Sequence, residues 1–198
     1  MTYLALGDSY TIGESVQFSE SFPCQTVKLL RGQGIKIADP DIIAETGWTT
    51  GDLIRAIEKT DTHKRYDIVS LLIGVNNQYQ GRSFDEYASE FSSLVNSAIA
   101  FNNGRPAYVF VLSIPDYSVT PFAAQLDKQV IFEALENFNS INRKIAGENG
   151  VHYLEITHES RRAGKDLSLI ASDGLHFSGK EYARWAALLA SSVRSALL

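Results

Sequence analysis

Residues 3–10 read Tyr3-Leu4-Ala5-Leu6-Gly7-Asp8-Ser9-Tyr10. The first four residues are apolar throughout, which is typical of a strand that is covered on both faces of a parallel sheet. The following residues are small or polar, as in a turn. This stretch therefore predicts a buried strand that ends in a polar loop.

Four more strand-like runs follow, and they alternate with segments of helical period. The candidate strands are Tyr3–Leu6, Ile35–Ala44 with a turn at Asp39-Pro40, Ile68–Ile73, Ala107–Leu112 and Val151–Ile156. Between and after them, apolar residues recur at spacings of three and four, which predicts helices with one apolar stripe each. The stripes are Phe84, Tyr87, Phe91, Leu94 and Ala98; Ile131, Leu135, Phe138, Ile141 and Ile145; and Tyr182, Trp185, Leu189, Val193 and Ala196.

Two helix starts are marked by capping signals. Ser83–Glu86 and Ser178–Glu181 both have the spacing of a capping box. Strands that alternate with helices indicate an α/β fold with a parallel sheet. We therefore predict one domain over residues 1–198, a three-layer α/β/α sandwich with a five-stranded parallel sheet. Its flavodoxin-like strand order is assigned by analogy.

Composition and charge narrow the class of protein. The chain has 198 residues, of which 44% are hydrophobic and 21% charged, and its formal net charge is −5. Lys and Arg are scattered rather than striped, which argues against a nucleic-acid surface. No apolar run approaches the roughly 18 residues of a membrane span. These features favour a small-molecule ligand and no stable membrane insertion. A monomer or small homo-oligomer is expected.

A single cysteine, Cys24, indicates that the fold needs no intramolecular disulfide. The first predicted strand starts at Tyr3 and leaves no room for a signal peptide. As written, the chain is expected to be cytoplasmic, although a chain trimmed of an export signal would look the same.

Four polar clusters follow predicted strands or precede the last helix. They are Gly7-Asp8-Ser9-Tyr10, Glu45-Thr46-Gly47-Trp48, Gly74-Val75-Asn76-Asn77 and Asp173-Gly174-Leu175-His176. Ligands of such sheets bind beyond the carboxyl ends of the strands, so we expect all four clusters at one edge.

Together the clusters supply what ester cleavage by a hydroxyl group requires. Ser9 would attack the carbonyl carbon, and His176 would take its proton and return it to the leaving alcohol. Asp173 would orient the imidazole; alternatively, it only holds a turn with Gly174. Asp8 would be either a second catalytic acid or, the reading we favour, a structural carboxylate.

An oxyanion hole needs donors aimed at the developing negative charge. The backbone N–H groups of Ser9 and Gly47 and the side-chain amide of Asn76 are the candidates. Trp48 would either wall the cleft or pack against the body of the protein.

These four clusters resemble the sequence blocks of the SGNH hydrolases, the superfamily of GDSL esterases and lipases. The resemblance runs along the whole chain and implies a flavodoxin-like α/β/α fold, with Ser9, His176 and Asp173 as the catalytic residues and Ser9, Gly47 and Asn76 as oxyanion donors. Proteins of this type are often labelled lysophospholipase-like. Two positions depart from the family pattern: Tyr10 stands where many members have leucine, and Asn77 stands where aspartate is usual.

The resulting hypothesis is a serine esterase that acts on a short-acyl ester, an acetylated sugar, a thioester or a lysolipid. The alternatives are an acyltransferase with the same acyl-enzyme and a non-catalytic flavodoxin-like binding module. The module is disfavoured because the first loop has no phosphate-binding glycine motif. No cofactor or metal is implied. Gln78–Arg82 would line the alcohol side; Pro115–Ala123 would shelter the acyl group, or Tyr117 and Phe122 would only pin that loop.

Overall fold

A computed structural model describes residues 1–60 and 63–198, and a sheet of five parallel strands lies at its centre. The strands are β1 (Tyr3–Gly7), β2 (Asp41–Ala44), β3 (Ile68–Leu72), β4 (Val109–Leu112) and β5 (His152–Leu154). Their order in the sheet is β2-β1-β3-β4-β5. This order confirms the flavodoxin-like α/β/α prediction.

Helices cover both faces of the sheet. The α-helices of the described residues are α1 (Ser9–Ile12), α2 (Phe22–Gly32), α3 (Thr50–Glu58), α4 (Val75–Tyr79), α5 (Phe84–Phe101), α6 (Lys128–Glu148), α7 (Thr157–Ser160) and α8 (Gly179–Ala196). The connection from β1 to β2 runs in one direction across the sheet and the later connections run in the other. Because such crossovers are right-handed, α2 lies on one face and α3, α5 and α6 on the other. The last helix, α8, packs against α2.

The apolar runs of the sequence explain where the core lies. Every residue of β1, β3 and β4 is buried, whereas β2 and β5 form the edges and are partly exposed. The predicted helical stripes face this core, and Trp185 and Tyr87 are among its largest buried side chains. Phe84, by contrast, is partly exposed and contacts the ring of Phe138 at a centroid distance of 5.1 Å.

The second predicted strand was too long. Only Asp41–Ala44 of the predicted Ile35–Ala44 forms a strand. Pro40 lacks the N–H group that a ladder hydrogen bond needs, so regular pairing begins after it. Before the proline, Ala38 donates its N–H to the carbonyl of Met1 without forming a named strand.

The two capping predictions had different outcomes. The Ser83 hydroxyl accepts the N–H of Glu86 at 3.2 Å, which is half of the predicted capping box. The capping box at Ser178 was wrong, although α8 does begin at the next residue. The Ser178 hydroxyl donates instead to the carbonyl of Ser168 at 2.8 Å, because a nearby loop offers a competing acceptor.

Candidate active site

An abrupt turn at the end of β1 presents Ser9. Asp8 caps the short helix α1: its carboxylate Oδ1 accepts the N–H of Tyr10 at 3.0 Å. Gly13 ends this helix with φ of 75°, a left-handed conformation that suits glycine. Ser9 is therefore held at the first position of a single helical turn, with only 4% of its surface exposed.

Ser9, His176 and Asp173 form one hydrogen-bonded line. The Nε2 atom of His176 lies 2.9 Å from the Ser9 hydroxyl, and its Nδ1 atom lies 2.6 Å from Oδ2 of Asp173. The other carboxylate oxygen of Asp173 accepts the backbone N–H groups of Leu175 and His176, both at 2.9 Å. Asp173 thus holds the turn and contacts the imidazole at the same time. The sequence left these two roles as alternatives.

The pKa values of the two carboxyl groups near Ser9, those of Asp173 and Asp8, are shifted in opposite directions. Burial acts to raise the pKa of Asp173, but hydrogen bonds from His176, Leu175 and Ser15 hold that pKa well below its usual range. Burial raises the pKa of Asp8 to about 7, against the opposing effect of the Tyr10 N–H bond. Within the described residues, the second oxygen of Asp8, Oδ2, is buried without a hydrogen-bond partner. Asp173 therefore carries the charge beside His176, while Asp8 supports the turn.

The three candidate oxyanion donors lie in different surroundings. Asn76 and Ser9 line the same cavity as His176. The Asn76 amide donates one hydrogen bond to the carbonyl of Trp48 at 2.9 Å, which ties the loop after β3 to the loop after β2. Gly47 lies in that second loop with φ of 85° and is exposed; other residues form the cavity wall.

A cavity of about 150 Å³ opens beside Ser9. Its outer wall is an aromatic group in which Phe122 contacts Tyr79 and Tyr117 at centroid distances of 6.1 and 6.4 Å. The Tyr117 hydroxyl donates to the Gln78 side chain at 2.9 Å and so joins the loops after β3 and β4. Both loops that the sequence singled out therefore reach the site, and Tyr117 and Phe122 also pin one loop to the other.

Two neighbours of the site, Ser15 and Glu14, were missed from the sequence. The Ser15 hydroxyl donates to Asp173 Oδ2 at 2.7 Å, and the Thr46 hydroxyl donates to Glu14 at 2.5 Å. The ring of Tyr10 contacts the His176 imidazole edge-on at 5.6 Å. Tyr10 and Thr46 lie in the polar clusters of the sequence, whereas Ser15 and Glu14 lie outside them and carried no signal, because their partners are distant in sequence.

Trp48 packs, half-buried, against the core, and other side chains form the cavity wall. Within residues 1–60 and 63–198, no three His, Cys, Asp or Glu side chains are arranged to hold a metal ion. No helix in the same described ranges combines the length and the apolar character needed to cross a bilayer.

Comparison with solved structures finds the same fold. TesA aligns with 100% of this chain and 98% of its own, at 17% identity and a TM-score of 0.74. The esterase EstA from Pseudoalteromonas sp. covers 99% and 98%, at 18% identity and a TM-score of 0.74. A variant of the acetyl xylan esterase Axe2 from Geobacillus stearothermophilus covers 97% and 94%, at 18% identity and a TM-score of 0.75.

Sequence comparison identifies the family. No curated protein matches the chain. The model of the GDSL-like lipase/acylhydrolase family, however, matches residues 5–184, which is most of the chain and includes all four polar clusters. The chain therefore belongs to the GDSL-like lipase/acylhydrolase family, and it is a carboxylic-ester hydrolase.

Proposed function

We propose that this protein hydrolyses a short-acyl carboxylic ester through an acyl-enzyme on Ser9, with His176 as the base. The observation that carries this proposal is the continuous line from Ser9 through His176 to Asp173, with contacts of 2.9 and 2.6 Å. A buried hydroxyl, an imidazole and an ionised carboxylate in this order are the parts of a nucleophilic relay.

The reaction proceeds in two halves. Ser9 Oγ bonds to the carbonyl carbon while its proton passes to Nε2 of His176. The bond to the alcohol oxygen then breaks as His176 returns that proton to the leaving alkoxide. Water attacks the acyl-Ser9 ester by the same steps, which releases the carboxylic acid and restores the Ser9 hydroxyl. Asp173 stabilises the imidazolium that forms in each half.

The oxyanion forms beside Ser9, and three donors support it in this proposal. They are the N–H groups of Ser9 and Gly47 and the side-chain amide of Asn76. An amide nitrogen carries two hydrogens. One of them bonds to the Trp48 carbonyl, which fixes the amide and the Gly47–Trp48 loop together. The second hydrogen remains for the substrate, so Asn76 both orders the hole and serves in it.

The size of the cavity favours a short acyl group. A closed apolar cavity of about 150 Å³ is known to hold a molecule the size of benzene. The cavity beside Ser9 has the same volume, about 150 Å³, and an aromatic wall. An acyl group of about two to six carbons fills such a space, whereas a long chain would extend into solvent.

The openness of the mouth favours water as the acyl acceptor. Tyr79 and Phe122 at the rim are 59% and 43% exposed, so the mouth of the cavity faces solvent. Transfer to another acceptor requires that water be excluded.

The test is hydrolysis of a p-nitrophenyl ester series, from acetate to decanoate, by the wild type and Ser9→Ala. We expect Ser9→Ala to lower kcat by at least about 10³-fold, because the nucleophile is lost. The wild type should be fastest on esters of about two to six carbons. Rates are measured by release of p-nitrophenolate, with stopped-flow detection of the acylation burst.

Ser93→Ala is the matched control, because Ser93 is an exposed serine on α5 whose hydroxyl donates to the Ser89 carbonyl of the same helix. It should retain wild-type rates. Wild-type turnover in a folded Ser9→Ala variant would refute the mechanism, and an optimum at decanoate would refute the short-acyl assignment.

A further inference from the structure

Ser15 has a backbone conformation that serine rarely adopts. Its φ is 64°, in the left-handed region that favours glycine. Such a conformation is unfavourable in a residue other than glycine and persists only where the surroundings impose it. A glycine at this position would avoid that cost, so the Ser15 side chain calls for a physical explanation.

The hydroxyl of Ser15 supplies that explanation. It donates to Oδ2 of Asp173 at 2.7 Å, and the same oxygen lies 2.6 Å from Nδ1 of His176. Oδ1 of Asp173 already accepts two backbone N–H groups. With Ser15 present, each carboxylate oxygen of Asp173 has two donors. These four contacts hold the carboxylate group in one orientation and stabilise its negative charge.

The segment that carries Ser15 is itself fastened to Ser9. Gly13 and Glu14 both donate their N–H groups to the carbonyl of Ser9, at 3.1 and 3.0 Å. The Glu14 carboxylate accepts the Thr46 hydroxyl at 2.5 Å, next to Gly47. Ser15 therefore joins the residue at one end of the relay to the residue at the other.

We propose that Ser15 is a positioning residue for ester hydrolysis, whose hydroxyl holds the Asp173 oxygen that faces His176. This inference rests on the proposed function. Ser15 touches neither the substrate nor the reacting atoms, so it acts on the orientation of Asp173 and through it on His176. Its loss should lower kcat and leave KM unchanged, because the cavity wall is made by other residues.

The experiment uses three substitutions at Ser15. Ser15→Gly removes the hydroxyl and relieves the backbone, so the protein should become equally or more stable while kcat falls. Because Asp173 and Ser15 are partly solvated, we expect a fall of about three- to tenfold. Ser15→Ala should lower kcat to the same extent without the gain in stability. Ser15→Asn restores a donor in a residue that tolerates this conformation, and kcat should return to within about twofold of the wild type.

The measurements are kcat and KM on p-nitrophenyl acetate, together with urea unfolding of each variant. Ser19→Gly, at an exposed serine in the following turn, is the control and should keep the wild-type kcat. A merely structural Ser15 would make activity follow stability, and it would not be rescued by asparagine.

Wild-type kcat in Ser15→Gly, or a Ser15→Asn variant as slow as Ser15→Gly, would overturn the inference alone. Turnover that survives in Ser9→Ala would instead overturn the proposed function, and this inference with it. The two failures are therefore distinguishable in one set of assays.

Discussion

At the scale of single residues, Asn77 shows why a departure from a family pattern can still be well accommodated. The N–H of Thr50 donates to Asn77 Oδ1 at 3.0 Å, and Asn77 Nδ2 donates back to the Thr50 hydroxyl at 2.7 Å. The Thr50 hydroxyl gives its one hydrogen to Glu90. The hydrogen bonds therefore run in one direction, from the Asn77 amide to the Glu90 carboxylate, and the first donor has to be an amide.

This direction predicts the effect of restoring the usual aspartate. Asn77→Asp removes the donor that the buried Thr50 oxygen needs and places a second carboxylate near Glu90. We expect the free energy of unfolding to fall by about 1–3 kcal/mol. Adding Glu90→Gln should recover part of that loss, because a glutamine amide can donate to Thr50 while Thr50 donates to Asp at 77. Urea unfolding of the two single variants and the double variant, as a double-mutant cycle, measures the coupling energy between residues 77 and 90. Additive losses would contradict the proposed direction of these hydrogen bonds.

Ser15 and Asn77 also show what a sequence withholds at this scale. Ser9, Asp173 and His176 were predicted as site residues because each lies in a block with a recognisable pattern. Ser15 lies in no such block; its backbone is left-handed, and its hydroxyl bonds to Asp173, which lies 158 residues away. Asn77 stood out only as a departure from the family pattern, and the sequence did not reveal that its partner is Thr50 on α3. Contacts of this kind depend on how loops meet in space.

At the scale of elements, the turn from β3 into α4 positions Asn76. Gly74 lies between them with φ of 130°. A Cβ atom there would lie 2.5 Å from the Tyr87 hydroxyl and 2.7 Å from Cδ1 of Ile114. Glycine is therefore needed for backbone conformation and for space alike, and this is how the loop after β3 can pack directly against α5.

Gly74→Ala is expected to destabilise the protein by about 2–4 kcal/mol, since it adds backbone strain to overpacking. It should also lower kcat, because any shift of this turn moves Asn76. Gly104→Ala is the matched control: Gly104 has φ of 73°, but no atom of a described residue beyond its chain neighbours lies within 4 Å of its added Cβ. Backbone strain alone should cost that variant about 1–2 kcal/mol. Thermal unfolding compares the two, and equal losses would show that close packing at Gly74 is unimportant.

Elements were predicted best where burial is complete on both faces. The bounds of β1 and β3 were right to within one residue, because both strands are buried on both faces and their sequences are therefore almost entirely apolar. The prediction for the edge strand β2 was too long at its start. The isoleucines before Pro40 suggest a strand whether or not the segment pairs with a neighbour. The capping prediction at Ser178 was wrong because a local sequence pattern does not show that a carbonyl of another segment, that of Ser168, competes for the hydroxyl.

At the scale of the whole molecule, Asp8 links stability to pH. Its pKa is raised from 3.8 to about 7 by burial. Between about pH 4 and pH 7, the folded protein thus keeps a proton that the unfolded chain has lost. The contribution of Asp8 to the free energy of unfolding is therefore greatest below about pH 4 and declines as the pH rises to about 7.

Asp8→Asn removes this titration while keeping the shape of the side chain. The stability of the variant relative to the wild type should therefore rise steadily from about pH 4 to pH 7. Urea unfolding at several pH values measures the difference. Asp166→Asn is the control, because the pKa of that exposed carboxylate is lowered, chiefly by Ser168, and gives no such trend above about pH 5. A flat difference for Asp8→Asn would show that the Asp8 carboxylate is ionised in the folded protein throughout this range.

The residues of the relay are made at very different times during translation, because Ser9 and His176 are 167 residues apart. Ser9 follows the first strand, and His176, its partner at 2.9 Å, lies 167 residues later and just before α8. A ribosome that has translated 154 residues has made the five strands of the sheet but has not reached His176. The emerging chain thus carries the proposed nucleophile without its proposed base. Under the proposed mechanism, we expect no ester hydrolysis by the nascent chain until the segment around His176 has left the ribosome and folded.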